Sequence, residues 1–477
     1  METKRALARA KRQKMMLEDP MMGVIPRVAI PMIISSMIDS IYNLADTFFV
    51  SQLGMTATAA VAINDSLMNI LRAISMGFAM GAASYISRLM GARQDKKASK
   101  VASTVLVIGC LFSLCFGLIC LGLRSPIVDI LGSTAASKQY SMDYAFWILL
   151  AAPFTTANLI MNQLLRSEGS TTYAMIGMCS GCVVNCALDP IFINVLGMEV
   201  GGAALATALS KIVSCCALAV PFLRGTAILE LHPKNFELKW DNLREVVRMG
   251  VPTFLRMSLM STGGIITNNM AGSYGTAVQA GVSVANKIYR LIGSAIMGFS
   301  QGFSPVAGYC WGAKCYTRVR EAYFSTLKIG GTCAAILGTA MFLGAPTLIG
   351  LFNTENDPTV LAIAAMKIRC CCVAFVPHVV VMVTSNFYQA LGKPLGNMAL
   401  SMSRQLFFLI PTVLFMPRIL ESMGQNGAYG VAMAQGLSDL LAFFILALPL
   451  ALRLLNQIKP LKDGDPPPFK GKKRREV

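Results

Sequence analysis

Two stretches of this sequence constrain its fold more than anything else. Residues 101–123 (VASTVLVIGCLFSLCFGLICLGL) carry no charged side chain, and residues 428–452 carry only Asp439. Each is long enough to cross the roughly 30 Å hydrocarbon layer of a bilayer as a helix. In that layer every backbone amide must be satisfied within the segment, so a helix is the conformation expected there. With 55% hydrophobic and 14% charged residues, the chain has more apolar surface than one soluble core can hide. Apolar runs between charge and turn signals predict spans near 27–50, 57–87, 101–123, 140–162, 171–196, 202–223, 247–272, 277–310, 322–350, 360–388, 396–417 and 428–455. The expected fold is an all-α integral membrane protein of twelve transmembrane helices.

The formal net charge of +18 would suggest a nucleic-acid partner in a soluble protein, but its placement indicates otherwise. Lys and Arg gather in the N-terminal tail, in 88–100, 224–248 and 314–328, and in the final GKKRREV, whereas loops 51–57, 197–202, 273–277 and 353–359 contain none. Positive residues favour the cytoplasmic side, which puts both termini on the cytoplasmic face of a cell membrane and requires an even number of crossings. The boundaries that follow are a basic tail 1–26, a first lobe 27–223, a linker 224–246, a second lobe 247–455 and a basic tail 456–477. The tails are read as solvated and drawn to anionic headgroups. The first apolar stretch follows about 25 polar residues without a small-residue cleavage site, and is read as a retained span. Fourteen cysteines lie mostly in apolar segments and read as small hydrophobes; Cys179-x-x-Cys182 has no matching second pair.

The halves resemble each other at a fixed offset of 221 residues. Pro31 matches Pro252, Gly54 matches Gly275, Met76-Gly77-Phe78 matches Met297-Gly298-Phe299, Gly81 matches Gly302, and Gly91-Ala92 matches Gly312-Ala313. An internal parallel repeat of six spans predicts two lobes about an axis along the membrane normal, with a central cavity between them. The spaced glycines Gly77/Gly81 and Gly298/Gly302 predict close helix contacts.

An ionised side chain at mid-membrane costs about 2.5–3.5 kcal/mol on insertion scales, so buried carboxylates are candidate functional groups. Asp46 lies in the first span, with Asp39 and Tyr42 on the same helical face. Asp189 lies in the fifth, with Asn185 one turn before it and Pro190, a bend signal, after it. Thr207 belongs to the sixth. Convergence of these faces would make a cation site; oxygen ligands suit Na⁺, and paired carboxylates in low dielectric also favour proton uptake near neutral pH. Asp46 and Asp189 could instead cap or bond neighbouring helices. In the second half Thr267 stands at the counterpart of Asp46, and Arg256, Lys287, Arg290 and Arg404 are basic, so the acidic site is not duplicated. Those bases are expected to pair with Asp439 and backbone carbonyls or to reach the membrane surface. Met and Phe could line an adaptable apolar pocket. Walker A, His-Glu-x-x-His and nucleophile triad patterns are absent, so no enzyme, no cofactor and no nucleotide-driven pump is expected.

Taken together, AIPMIISSMIDSIYNLADTFFVSQLG, SRLMGAR, LLRSEGSTTYA, NCALDPIFI, GAALATALS and GFSQGFSPVAGYCWGAK resemble the multidrug and toxic compound extrusion family, especially its DinF-like branch. The resemblance runs from about Pro31 to Leu455. It implies two rocking lobes that export hydrophobic, mostly cationic compounds against inward Na⁺ or H⁺ flow. It places the cation site on Asp46, Asn185, Asp189 and Thr207, with Tyr42 and Asn162 close by; Asp39, Tyr42 and Asn162 are the residues expected in the substrate cavity. Met260 stands where the NorM-like branch carries a seventh-span Glu, which argues against a second cation site. The expected partners are small-molecule substrates and the lipid bilayer, with no nucleic acid, and a monomer is expected. A flippase for a lipid-linked or amphipathic anionic substrate is the alternative within the same superfamily.

Overall fold

The computed structural model describes residues 2–135, 137–350 and 357–465. Part of the loop 353–359 and the basic GKKRREV end lie outside them. Among the described residues the chain is helical, with no strand. In chain order the helices are α1 (Glu2–Leu17), α2 (Met21–Ser51), α3 (Met55–Gly91), α4 (Asp95–Gly122), α5 (Arg124–Ile130), α6 (Lys138–Leu150), α7 (Ala152–Ser167), α8 (Thr171–Pro190) and α9 (Glu199–Arg224). They continue with α10 (Trp240–Ser273), α11 (Thr276–Gly312), α12 (Tyr316–Gly350), α13 (Pro358–Val373), α14 (Phe375–Ala390), α15 (Pro394–Ser403), α16 (Ile410–Ser422), α17 (Ala428–Ala442) and α18 (Leu448–Ile458).

Among the described residues, eight helical segments are long and apolar enough to cross a membrane, and ten if each of two bent pairs counts as one span. The pairs are α6/α7, bent by 50°, and α13/α14, bent by 55°. Pro153 at the start of α7 explains the first break, because a proline lacks the N–H that would continue the preceding helix. Three spans continue through π-helical turns: α8 into Ile191–Val195, α15 into α16 through Arg404–Leu409, and α17 into α18 through Phe443–Ala447. The first follows Pro190, where the sequence predicted a bend.

Local geometry recurs 221 residues apart. Helices α3 and α11 are each 37 residues long. Each follows a glycine with positive φ, Gly54 at 99° and Gly275 at 114°. Each is followed by a left-handed basic residue, Arg93 at 57° and Lys314 at 61°. The paired glycines are where helices meet backbone to backbone. A Cβ on Gly81 would strike the Val246 carbonyl of α10, one on Gly91 the Tyr309 carbonyl of α11, and one on Gly312 the Arg88 carbonyl of α3. On Gly298 it would lie 2.7 Å from the Met32 carbonyl of α2, as the Gly-x3-Gly spacing predicted. Arg88 of α3 also pairs with Glu245 of α10 at 2.9 Å. Together these contacts close the bundle on the side that bears the linker.

Two expected boundaries are corrected. Helix α10 begins at Trp240, so the linker predicted at 224–246 is the shorter stretch 225–239, which holds only one 3-10 turn, Pro233–Asn235. It lies on the start of α4, where Ser99 accepts from the Glu230 amide at 3.0 Å and Thr104 from the Glu237 amide at 3.1 Å. The tail predicted at 1–26 is not simply solvated: α1 is docked and α2 begins at Met21. Met16 is buried against Gly169, and its carbonyl accepts from Cys310 of α11. Arg12 donates at 2.9 Å to Glu168, whose other oxygen accepts from the Ile228 and Leu229 amides at 2.9 and 3.0 Å. A basic tail reads as solvated until a buried carboxylate is found to receive it.

Candidate substrate cavity and cation site

Spacing along α2 sets the first wall of the site. Asp39, Tyr42 and Asp46 follow one another by three and four residues, so they share a helical face, and all three line one cavity of about 250 Å³. Helix α3 adds Asp65 and Arg72, α7 adds Asn158, Asn162 and Arg166, and α9 adds Thr207 and Lys211. Met257 of α10 and Met297 and Gln301 of α11 line it from the other half of the chain. Along α3 these cavity residues precede Gly77, Gly81 and Gly91, so the glycine contacts close the cavity on the linker side. Asp65 and Arg290, toward the other end, are exposed.

Behind this wall lie Asn185 and Asp189, both fully buried. One turn of α8 separates them, and Asn185 donates its amide to Asp189 Oδ1 at 3.1 Å. That bond leaves Asp189 Oδ2 and Asn185 Oδ1 buried, and Asp46 Oδ1 is buried too; none has a hydrogen-bond partner among the described residues. Buried oxygens of this kind are normally satisfied, because an unmet acceptor costs about 1–3 kcal/mol and a charged one more. Asp46 and Asp189 lie within electrostatic range of each other. Beside them Thr207 accepts from the Tyr42 hydroxyl at 3.2 Å, and the Lys211 ammonium sits 4.8 Å from the Tyr42 ring centroid, a cation–π contact. The chemistry of this donor set is that of a receiver for a hard cation or a proton.

The predicted residues therefore divide. Asp39, Tyr42, Asp46, Asn162 and Thr207 line the cavity, whereas Asn185 and Asp189 lie behind it. Asn162 is also a tie between helices, donating to the Ala174 carbonyl of α8 at 3.0 Å. In the second half Thr267 is bound to the Gly263 carbonyl at 2.7 Å, and Met260 is 48% exposed. Arg404 pairs with Asp439 as expected, and His378 Nδ1 approaches the same carboxylate at 3.5 Å. Lys287 and Arg290 are exposed, whereas Arg256 is half-buried.

Sequence reasoning missed four charged cavity residues: Asp65, Arg72, Arg166 and Lys211. The cost of a charge in the membrane singles out Asp65 and Arg72 in the span expected at 57–87 and Lys211 in the one at 202–223, bases as much as carboxylates. Arg166 escaped because the fourth span was ended at 162, whereas α7 continues to Ser167.

The profile of the MatE family matches this sequence over residues 31–191 and again over 252–414. The chain belongs to the MatE family. The two matched stretches start 221 residues apart, the spacing at which the local geometry recurs. Among curated relatives, this MatE chain is 26% identical over 421 residues to the multidrug export protein MepA of Staphylococcus haemolyticus, covering 88% of this chain and 91% of that protein. A structure described as the outward-facing conformation of a multidrug resistance MATE family transporter of the MOP superfamily superposes with a TM-score of 0.87 at 26% identity, covering 94% of this chain and 98% of that one. A MOP superfamily transporter from Pyrococcus furiosus, described as having a binding pocket of reverse polarity that suggests a different function, superposes with a TM-score of 0.84 at 27% identity, covering 94% and 98%. This MatE protein is thus a multi-pass membrane transporter related to multidrug exporters, and not an enzyme. The flippase alternative is not favoured by these relatives.

Proposed function

We propose that this MatE protein exports hydrophobic, cation-bearing small molecules by alternating access, in exchange for inward Na⁺ or H⁺. The observation that carries the coupling is the set of three buried, unpartnered oxygens on Asp46, Asn185 and Asp189 beside the cavity. An ion arriving from outside neutralises Asp46 and Asp189 and removes the charge that a cationic substrate had faced. Thr207 and Tyr42 orient the wall between ion and substrate, and Asp39 contacts the substrate. The linkage needs only that ion and substrate favour opposite states, because a ligand shifts a conformational equilibrium by its differential affinity alone.

On this reading α10 and α11, 34 and 37 residues long, join the ten apolar spans to complete twelve in two six-helix lobes. The linker side is cytoplasmic with both termini, the cavity faces outward, and the monomer in a cell membrane is the working unit. The outward-facing neighbour supports this orientation.

The test is ethidium uptake into inverted vesicles or proteoliposomes under imposed Na⁺ or pH gradients, for the wild type and Asp46→Asn. Gradient-driven uptake that is lost in the variant supports antiport, and the effective gradient names the ion. Absence of transport of several cationic dyes under either gradient would overturn the reading.

A further inference from the structure

The cavity is not simply acidic. Arg72, Arg166 and Lys211 line it together with the carboxylates, and none of the three has a carboxylate within 4.0 Å among the described residues. Arg166 stands out most. It is 6% exposed, yet the groups it meets are neutral: Nη1 donates to Gln301 Oε1 at 2.9 Å, Nη2 approaches the Met178 sulfur at 3.6 Å, and Nε has no partner. A guanidinium offers five N–H donors in a fixed fork and cannot discharge itself by losing a proton. Buried charges are normally paired; Asp39 lies within electrostatic range of Arg166 but beyond 4.0 Å, so a guanidinium with an amide, a thioether and an open Nε keeps room for an anion in direct contact. Lys211 is held over the Tyr42 ring and lies within electrostatic range of Asp39, Arg72 and Asp46, with no carboxylate in direct contact.

We propose that Arg72, Arg166 and Lys211 form an anion subsite within this cavity, so that the transported substrates include amphipathic molecules bearing a carboxylate, sulfonate or phosphate group. This rests on the cavity being the substrate chamber of the exporter proposed above and names a substrate class for it. The guanidinium fork of Arg166 binds two oxygens of the anionic group, and Arg72 and Lys211 complete its counter-charge. Asp39 and Asp46 remain free for the coupling ion or for a positive portion of the same molecule. A compound with charge of both signs satisfies both sides of this mixed lining.

The experiment measures binding without any gradient, so it is separate from the transport test. The probes are the fluorophores 5-dimethylaminonaphthalene-1-sulfonate and 5-dimethylaminonaphthalene-1-sulfonamide, which share a ring system and differ in charge. They are titrated against the full chain in nanodiscs of zwitterionic lipid. The expected result is that the sulfonate binds on the order of 10-fold more tightly, as one charge-assisted interaction provides. Arg166→Gln, Arg72→Gln and Lys211→Gln each remove that preference while changing sulfonamide affinity less than about 3-fold. If Arg166→Gln fails to fold, the half-buried Arg72 and Lys211 carry the test. Equal affinity of both probes for the wild type would overturn the subsite. So would a preference that survives the folded variants, which would put the anion on the basic linker face. Ethidium transport that succeeds while this test fails would leave the exporter standing and remove the subsite alone.

Discussion

Glu168 is the residue whose loss should unfasten the N-terminal helix. Its side chain is completely buried and receives four hydrogen bonds: from Arg12, from the Ser170 hydroxyl, and from the Ile228 and Leu229 amides. Glu168→Gln preserves the shape but turns one acceptor oxygen into a donor. If the remaining oxygen serves the two backbone amides, the new NH₂ group faces Arg12 and cannot pair with it. Removing one partner of a buried pair costs about 3–5 kcal/mol, and here that loss falls on the docking of α1. Undocking exposes Arg5, Arg9, Lys11, Arg12 and Lys14 of α1 to trypsin. When opening and closing are fast relative to cleavage, the cleavage rate follows the population of the open form. At 1.4 kcal/mol per tenfold, the loss predicts cleavage roughly 100-fold faster or more. The assay follows loss of an N-terminal tag from the purified protein at low trypsin concentration, with size exclusion confirming that the transmembrane bundle stays folded. Equal cleavage rates in wild type and variant would show that the ion pair does not hold the helix and would refute the reasoning.

Asp439→Asn strips the counter-charge from Arg404, which is 8% exposed, and should cost about 3–5 kcal/mol, seen as a lower apparent melting temperature in detergent. Replacing both partners, as Arg404→Met with Asp439→Leu, should recover most of that loss. Gly81→Leu should leave a monodisperse protein with no gradient-driven transport, because the side chain has no room beside the Val246 carbonyl when the linker side closes; full activity would show that this contact is not required. Lys100 and Lys239 hold the Glu237 carboxyl down at about 2. A depressed value means that their contribution is fully present above the ordinary carboxylate range near 4.3 and fades only as pH falls toward 2. Glu237→Gln should therefore leave the pH profile of transport between about 5 and 8 unchanged, and a displaced profile would assign a titration to the linker.

How far the sequence carried depended on whether a feature was local. The α2 face was legible because Asp39, Tyr42 and Asp46 repeat at helical spacing. The contacts of Gly81, Gly298 and Gly302 were foreshadowed because close backbone approach in lipid has a compositional signature, whereas Gly91 and Gly312 stood out only as matched positions of the repeat. Pro190 announced the break after α8. The docking of α1 was not legible, since six basic residues in a tail suggest solvation, and the carboxylates that receive Arg5, Arg9 and Arg12 are the distant Glu230, Asp95 and Glu168. The mixed charge of the cavity was obscured for a similar reason. Arg166 is set by a bend at Ala151 that keeps α7 helical past the expected span end, and Lys211 sits in the otherwise small and apolar GAALATALSKIV. Which of these charges would meet another was decided by helix packing.

Helix α2 suggests how the proposed exchange reaches the closed side. Toward its C-terminal end it carries Asp46, which shares the candidate ion site with Asn185 and Asp189 of α8. Toward its N-terminal end, Ala29 and Met32 form the surface against which Gly302 and Gly298 of α11 pack. One helix therefore touches both the candidate ion site and the contact between the two halves of the chain. Reversing a 1:99 conformational ratio requires about 5.5 kcal/mol of differential binding. The unmet acceptors on Asp46, Asn185 and Asp189 can contribute a substantial part, since each costs about 1–3 kcal/mol or more while unpartnered and is relieved only where α2 and α8 stand close enough to share one ion. Tyr42 adds α9 to the same unit through its bond to Thr207. A cation that draws these three helices together thus favours one placement of α2, and with it one packing of Ala29 and Met32 on α11. Coupling on this view depends on the rigidity of α2 between Met32 and Asp46 more than on any relay of side chains.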